Sequence, residues 1–231
     1  MKRFYKTVSV APADDGYVVK LDGRVIKTPL KEPLTLSTKA LANQVAAEWD
    51  GQGEEIDPKS MPFTQLSNGA QDLLGQHRDQ IVETLVGFID ADLICYRARN
   101  PDDLVARQTA HWQPLVDWFA DEFGVALNVT NDLSLIAQDQ RLAPILRRHI
   151  QSYNNFQISA LHELATISKS ISIALAVTVG RLSVEQAWAV ARVDEDFQIS
   201  RWGEDEEAAE NARMLHQSFD EAALLWQMVS E

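Results

Sequence analysis

The chain has 231 residues, of which 45% are hydrophobic and 24% charged, and this composition excludes a disordered or collagen-like protein and predicts a globular one. Its 34 acidic and 21 basic residues give a formal net charge of −13, which disfavours binding to nucleic acid and to anionic membrane surfaces. The single cysteine, Cys95, excludes an intrachain disulfide.

The first 60 residues are predicted to form a small antiparallel β domain with one helix. Apolar residues occupy alternate positions over residues 17–21, and residues 25–27 read as a returning strand. Asp22 and Gly23 between them are typical of a tight hairpin turn, which needs two residues with positive φ. We expect Ser37 to cap the helix that follows, in which apolar residues recur every four positions up to Trp49.

A linker separates this domain from a larger helical domain that we assign to residues 61–231. Residues 51–62 hold two Gly and two Pro and show no periodicity, which is typical of a linker. The rest has helical periodicity with short polar breaks, so the predicted fold class is α+β. The expected helices are Thr64–Leu74, Asp79–Phe88, Pro101–Phe123, Gln140–Tyr153, Phe156–Val179, Ser183–Ile199 and Asp205–Val229.

The sequence also predicts where the protein acts. The first residues, MKRFYKTV, lack the apolar stretch of a secretory signal. The most apolar run, Ile171–Val179, is shorter than the roughly 20 residues that span a bilayer. We therefore expect a cytoplasmic protein with no membrane-inserted segment.

Charge is distributed unevenly along the chain. Residues 1–31 contain seven basic and three acidic residues, whereas residues 194–210 contain eight acidic residues and one basic residue. Such asymmetry indicates either a charged surface for a partner or a solvated helix face.

Few residues point to catalysis. Asp90 and Asp92 could chelate a divalent ion with His111, and Cys95 could act as a nucleophile, but capping of a helix end also explains the two carboxylates. Neither a phosphate-cradling loop nor a Gly-rich dinucleotide motif is present in the sequence. We therefore predict no cofactor, no metal and no small-molecule substrate, and we keep a small metal-dependent hydrolase or transferase as the alternative function.

Tryptophans at two positions allow two interpretations each. Trp202 lies within the acidic segment, where it could be a packing wedge between the last two helices or an exposed anchor for a partner. Trp49, followed by Met61 and Pro62 after the linker, could pack at the domain junction or contact a partner.

Several segments together resemble one family, the assembly chaperones that bind the alpha subunit of the F1 sector of ATP synthase in mitochondria and alpha-proteobacteria. The segments occur in the family's order along nearly the whole chain: LDGRVIKTP (21–29), LANQVAAEWDGQ (41–52), MPFTQLSNGAQD (61–72), DADLICYR (90–97), LVARQTAHWQPLVDW (104–118), RLSVEQA (181–187) and DEDFQISRWGEDE (194–206).

This resemblance implies a noncatalytic chaperone that holds the unassembled alpha subunit until the beta subunit replaces it. It implies action in the bacterial cytoplasm, and in the mitochondrial matrix for relatives with a transit peptide. The family's acidic pattern falls on Asp194, Glu195, Trp202 and Glu206, which become the candidate client-binding residues with Glu195 foremost. The chain departs from the pattern at residues 209–210, where Ala-Glu replaces the family's frequent His-Asp. A purely structural component of a larger assembly is a third possibility.

Overall fold

The structure is a computed structural model that describes residues 1–132 and 134–230. It begins with three antiparallel strands, β1 (Val8–Ala13), β2 (Gly16–Leu21) and β3 (Arg24–Val25), in the order β1-β2-β3. The predicted hairpin turn is confirmed, because Asp22 and Gly23 have φ of 47° and 81°. The strand β1 was not predicted, since its segment contains a proline, Pro12, and its apolar alternation is limited to Val8 and Val10.

Helices follow the sheet, which confirms the predicted α+β class. The first, α1 (Lys39–Asp50), is capped by Thr38 and not by Ser37, because the Thr38 hydroxyl accepts a 3.2 Å hydrogen bond from the backbone N–H of Leu41. The second, α2 (Pro62–Asn68), runs through a π-helical turn at Gly69–Leu73 into α3 (Leu74–Gly87), which is kinked at His77.

Two short 3-10 turns, Phe88–Ala91 and Leu93–Cys95, lead into the remaining helices. Two of the predicted helices are each divided in two, at Lys169 and at Arg192. The helices are α4 (Asp102–Phe123), α5 (Leu142–Gln151), α6 (Asn155–Ser168), α7 (Ile171–Thr178), α8 (Val184–Ala191), α9 (Val193–Trp202) and α10 (Glu206–Val229). Within the described residues, none of the helices has the length and apolar character needed to cross a membrane.

The chain divides into two compact units. The first comprises Met1–Asp79, Tyr153–Ala160 and the residues from Leu224 onward, and the second comprises Gln80–Ser152 and Leu161–Ala223. This grouping differs from the sequence boundary after residue 60, because α2 and the start of α3 belong with the sheet.

Each unit has an apolar core. In the first, sheet residues such as Val19 and helix residues such as Leu41 pack with Leu225, Trp226 and Val229 from the end of the chain. In the second, Trp112 is fully buried and its indole N–H donates a 2.9 Å hydrogen bond to the carbonyl of Val190.

Candidate functional site

A groove of about 410 Å³ lies in the second unit between α9 and the first turns of α10. Gly203 ends α9 with φ of 87°, and the Asp205 carboxylate caps the next helix by accepting a 2.9 Å hydrogen bond from Ala208 N–H. Only residues 203–205 connect the two helices at this groove. Its lining includes Lys169, Arg192, Glu195, Trp202 and Leu215.

Trp202 is 79% exposed, so its interpretation as a packing wedge is wrong. The buried positions of α9 are Val193 and Phe197. At about 100° per residue, Trp202 lies about 140° from Phe197 and on the side opposite Val193. An exposed indole at the end of a helix is suited to contact with a partner.

Glu195 lines the same groove and already has an intrachain partner. Its Oε1 lies 3.0 Å from Nζ of Lys169, and the two side chains are 38% and 66% exposed. Exposed ion pairs of this kind contribute about 0–1 kcal/mol to stability. The pair therefore holds Glu195 in place only weakly, and a cation on a partner could compete for it.

The structure places the other two predicted residues differently. Asp194 accepts a 2.7 Å hydrogen bond from Nε2 of Gln108, which is 2% exposed on α4, and does not line the groove. Burial raises the pKa of the Asp194 carboxyl, while the bond from Gln108 opposes that rise. Glu206 is exposed in the first turn of α10, also outside the groove lining. Of the four predicted residues, the groove thus brings together Glu195 and Trp202.

Two basic residues of the groove were missed by sequence reasoning. Arg192 reaches the carboxylate of Asp196 through Nε at 3.2 Å, and its guanidinium lies 5.4 Å from the ring centroid of Trp188. The i,i+4 spacing of the first pair was a usable signal. Lys169 meets Glu195 across 26 positions, and no local pattern could have indicated that.

The residues of the alternative enzyme do not form a site. Asp92 is fully buried, and its carboxylate accepts bonds from the backbone N–H groups of Ile94 and Ser172, at 3.2 and 2.9 Å. Asp90 and His111 are exposed. In the part of the chain that the structure describes, no three His, Cys, Asp or Glu side chains are grouped to hold a metal ion.

Cys95 also lacks the properties of a nucleophile. It is buried, and burial raises the pKa of its thiol to about 12. A thiol with that pKa is almost wholly protonated at neutral pH, whereas nucleophilic cysteines act as thiolates.

The predicted junction residues all lie in the first unit. Met61 is 3% exposed in its core, Pro62 is the first residue of α2, and Trp49 is half-buried with its ring 5.8 Å from that of Tyr5. Their role at a domain junction stays a prediction. Next to Trp49, the carboxylate of Glu48 accepts hydrogen bonds from the N–H groups of Phe63 and Thr64 at 2.7 and 2.8 Å.

Comparison with known proteins places the chain in a family of chaperones. The model of the family described as ATP12 chaperone protein matches residues 2–120, and the chain belongs to this family. It is similar to Protein atp12, mitochondrial, from Schizosaccharomyces pombe, with 27% identity over 90% of this chain and 76% of that protein.

Solved structures extend the similarity to the whole fold. The crystal structure of Atp12 from Paracoccus denitrificans has 36% identity and a TM-score of 0.94, covering 99% of this chain and 98% of that one. The Atu1473 protein from Agrobacterium tumefaciens has 35% identity and a TM-score of 0.92, covering 99% and 86%.

Proposed function

We propose that the chain binds the unassembled alpha subunit of the F1 sector of ATP synthase and keeps it competent for assembly until the beta subunit replaces it. Membership of the ATP12 chaperone family is the observation that carries this proposal. A subunit that awaits its neighbour exposes an apolar interface of the obligate kind, which self-associates unless it is covered. We further propose that the chain acts in the cytoplasm as a binding protein and not as an enzyme.

The groove between α9 and α10 is the proposed contact with the client. Trp202 supplies a large exposed apolar ring, and Glu195 supplies a carboxylate that Lys169 neutralises only through an exposed pair. We propose that a basic side chain of the alpha subunit takes the place of Lys169 while an apolar group packs on Trp202. Asp194, held by Gln108, would position α9, and Glu206 would add to the field that attracts a cation.

This mode of binding suits a client that must later be released. Charge attraction speeds the encounter, whereas a groove with one exposed aromatic anchor buries less apolar surface than an obligate interface. The beta subunit, with the larger interface, can then displace the chaperone from the alpha subunit.

Copurification tests the proposal. The alpha subunit is produced with the affinity-tagged chain and in its absence, and soluble and captured alpha are quantified. We expect the chain to capture alpha, to raise its soluble fraction and to release it when purified beta is added. Capture of neither subunit, or of beta in preference to alpha, would contradict the proposed client.

A further inference from the structure

A second groove, of about 640 Å³, lies within the first unit beside the hairpin and the end of α1. Its apolar lining consists of three aromatic and four aliphatic or thioether side chains, which are Phe4, Tyr5, Trp49, Met1, Leu21, Val25 and Ile26. Tyr5, Leu21 and Ile26 are buried in the core, so this lining is fixed by packing and does not depend on a ligand to form.

The aromatic residues of this groove form a row that reaches the surface. The ring centroids of Phe4 and Tyr5 are 5.3 Å apart and those of Tyr5 and Trp49 are 5.8 Å apart, both edge to face. The outer ring, Phe4, is 66% exposed. Aromatic rings of this kind offer a large apolar contact area and are enriched among the residues that dominate protein interfaces.

The charges that line the groove are Asp22, Arg24 and Lys27. The Asp22 carboxylate is already engaged by the backbone N–H groups of Lys6 and Thr7, and these bonds with the Thr7 hydroxyl lower the pKa of Asp22. Arg24 and Lys27 are exposed and have no ion pair or hydrogen bond with another described side chain. The rim therefore presents two cations without an ion-pair partner among the described residues, together with one carboxylate, that of Asp22, whose oxygens already accept hydrogen bonds.

We infer that this groove, which we term the hairpin groove, binds a segment of a partner protein that carries acidic residues beside an apolar side chain. The apolar side chain would pack on the row that ends in Phe4, and the acidic residues would meet Arg24 and Lys27. The net charge of −13 opposes a nucleic acid or an anionic membrane as the occupant, because both are large anions that the field of the whole molecule repels. A short acidic segment meets mainly the local charges of the rim. This binding does not depend on which client the second unit contacts.

Fluorescence anisotropy with synthetic peptides tests the inference on the full-length protein. The probe is a labelled peptide of alternating Glu and Leu residues, and the matched probe has Lys at every Glu position. We expect saturable binding of the acidic peptide, weaker binding at higher salt, and at least about tenfold weaker binding of the Lys peptide.

Two variants locate the binding. Arg24→Glu with Lys27→Glu should weaken the acidic peptide at least about tenfold, whereas Lys39→Glu with Lys59→Glu makes the same change of charge at exposed positions outside the groove and should have a small effect. Phe4→Ala should also weaken binding, while Leu30→Ala, which removes a 52% exposed side chain outside the groove, should not. Because all six positions are exposed, melting temperatures should match that of the parent protein.

Other outcomes would overturn the inference. They are equal binding of the two peptides, equal weakening by the two double variants, and no saturable binding of the acidic peptide. The protein could instead bind vesicles of phosphatidylserine and phosphatidylcholine, lose that binding in Arg24→Glu with Lys27→Glu, and bind neither peptide. That result would show that the groove binds a lipid surface and not an acidic segment.

Discussion

The hydroxyl of Ser170 donates a 2.6 Å hydrogen bond to Oδ1 of Asp92, which precedes it by 78 residues. The N–H and hydroxyl of Ser172 donate to the other oxygen at 2.9 and 2.8 Å, and the N–H of Ile94 donates at 3.2 Å. One fully buried carboxylate thus caps both the Leu93–Cys95 turn and the start of α7. Asp92, the second aspartate of the DAD segment, therefore has a structural role.

Asp92→Asn should destabilise the protein by about 2–4 kcal/mol at pH 7. The asparagine amide keeps one acceptor oxygen, but its NH2 replaces the other oxygen and faces groups that also donate. Buried donors are then left without an acceptor. Urea unfolding followed by circular dichroism measures the change. Asp90→Asn, at an exposed position two residues earlier, is the control and should change stability by less than about 0.5 kcal/mol.

The difference in stability between the parent protein and Asp92→Asn should also depend on pH. Burial raises the pKa of the Asp92 carboxyl in the folded state above its ordinary value. The folded state then holds the proton more tightly, so the part of the stability that depends on this titration is complete below the unfolded pKa of about 4 and is lost as pH rises through the folded pKa. The hydrogen bonds to the ionised carboxylate remain at pH 7. The stability advantage of the parent over Asp92→Asn should be largest near pH 4 and should decline toward neutrality. A pH-independent advantage would contradict the raised pKa.

Glu48→Ala should destabilise the first unit by about 1–3 kcal/mol. Its carboxylate accepts from the N–H groups of Phe63 and Thr64, and also from the Thr64 hydroxyl at 2.6 Å, and nothing on alanine can replace it. Thermal unfolding measures the loss, and Glu54→Ala provides an exposed control with the same change of charge. Equal melting temperatures for the two variants would show that the hydrogen bonds from Phe63 and Thr64 to Glu48 contribute nothing to stability.

Trp202→Ala should leave stability within about 0.5 kcal/mol of the parent, because the side chain is 79% exposed. If the ring anchors the client, capture of the alpha subunit should fall at least about tenfold. Leu135→Ala removes another side chain that is 80% exposed and should not affect capture. Undiminished capture by Trp202→Ala would remove the ring from the proposed contact.

Glu195→Gln should give a stably folded protein with impaired chaperone activity. The change is nearly isosteric and removes a charge whose only ion pair among the described residues, with Lys169, is exposed. Glu207→Gln removes one charge at an exposed position outside the groove lining and serves as the control. If stability and activity fall together in Glu195→Gln, the carboxylate has an internal role and does not bind the client.

The sequence predicted those parts of the fold that local chemistry determines. Asp22-Gly23 was recognisable because few residue pairs tolerate two positive φ values. The break between α6 and α7 was not predicted, because the left-handed residue there is Lys169, with φ of 55°, where glycine is the usual signal. Ser37 and Thr38 are adjacent and both carry a hydroxyl that can cap a helix, so the sequence could not determine which of them caps α1.

The candidate groove was predictable only in part. Acidic density and Trp202 marked its segment, but exposure of the ring follows from how α9 is rotated against its neighbours. That rotation depends on Val193 and Phe197 packing inward, which the acidic pattern does not report. The contact of Lys169 with Glu195 depends on long-range packing. A contact between residues so far apart in the sequence leaves no local periodic pattern.

The core of the first unit includes Leu225, Trp226 and Val229, although its sheet is built from the first 25 residues. During synthesis at about 5–20 residues per second, the sheet therefore waits on the order of ten seconds or more for its last core side chains to be made. Until then its apolar face has no complete covering. The nascent chain is thus exposed for a time to the same self-association from which it is proposed to protect its client. Variants truncated at the C-terminus should be prone to aggregate.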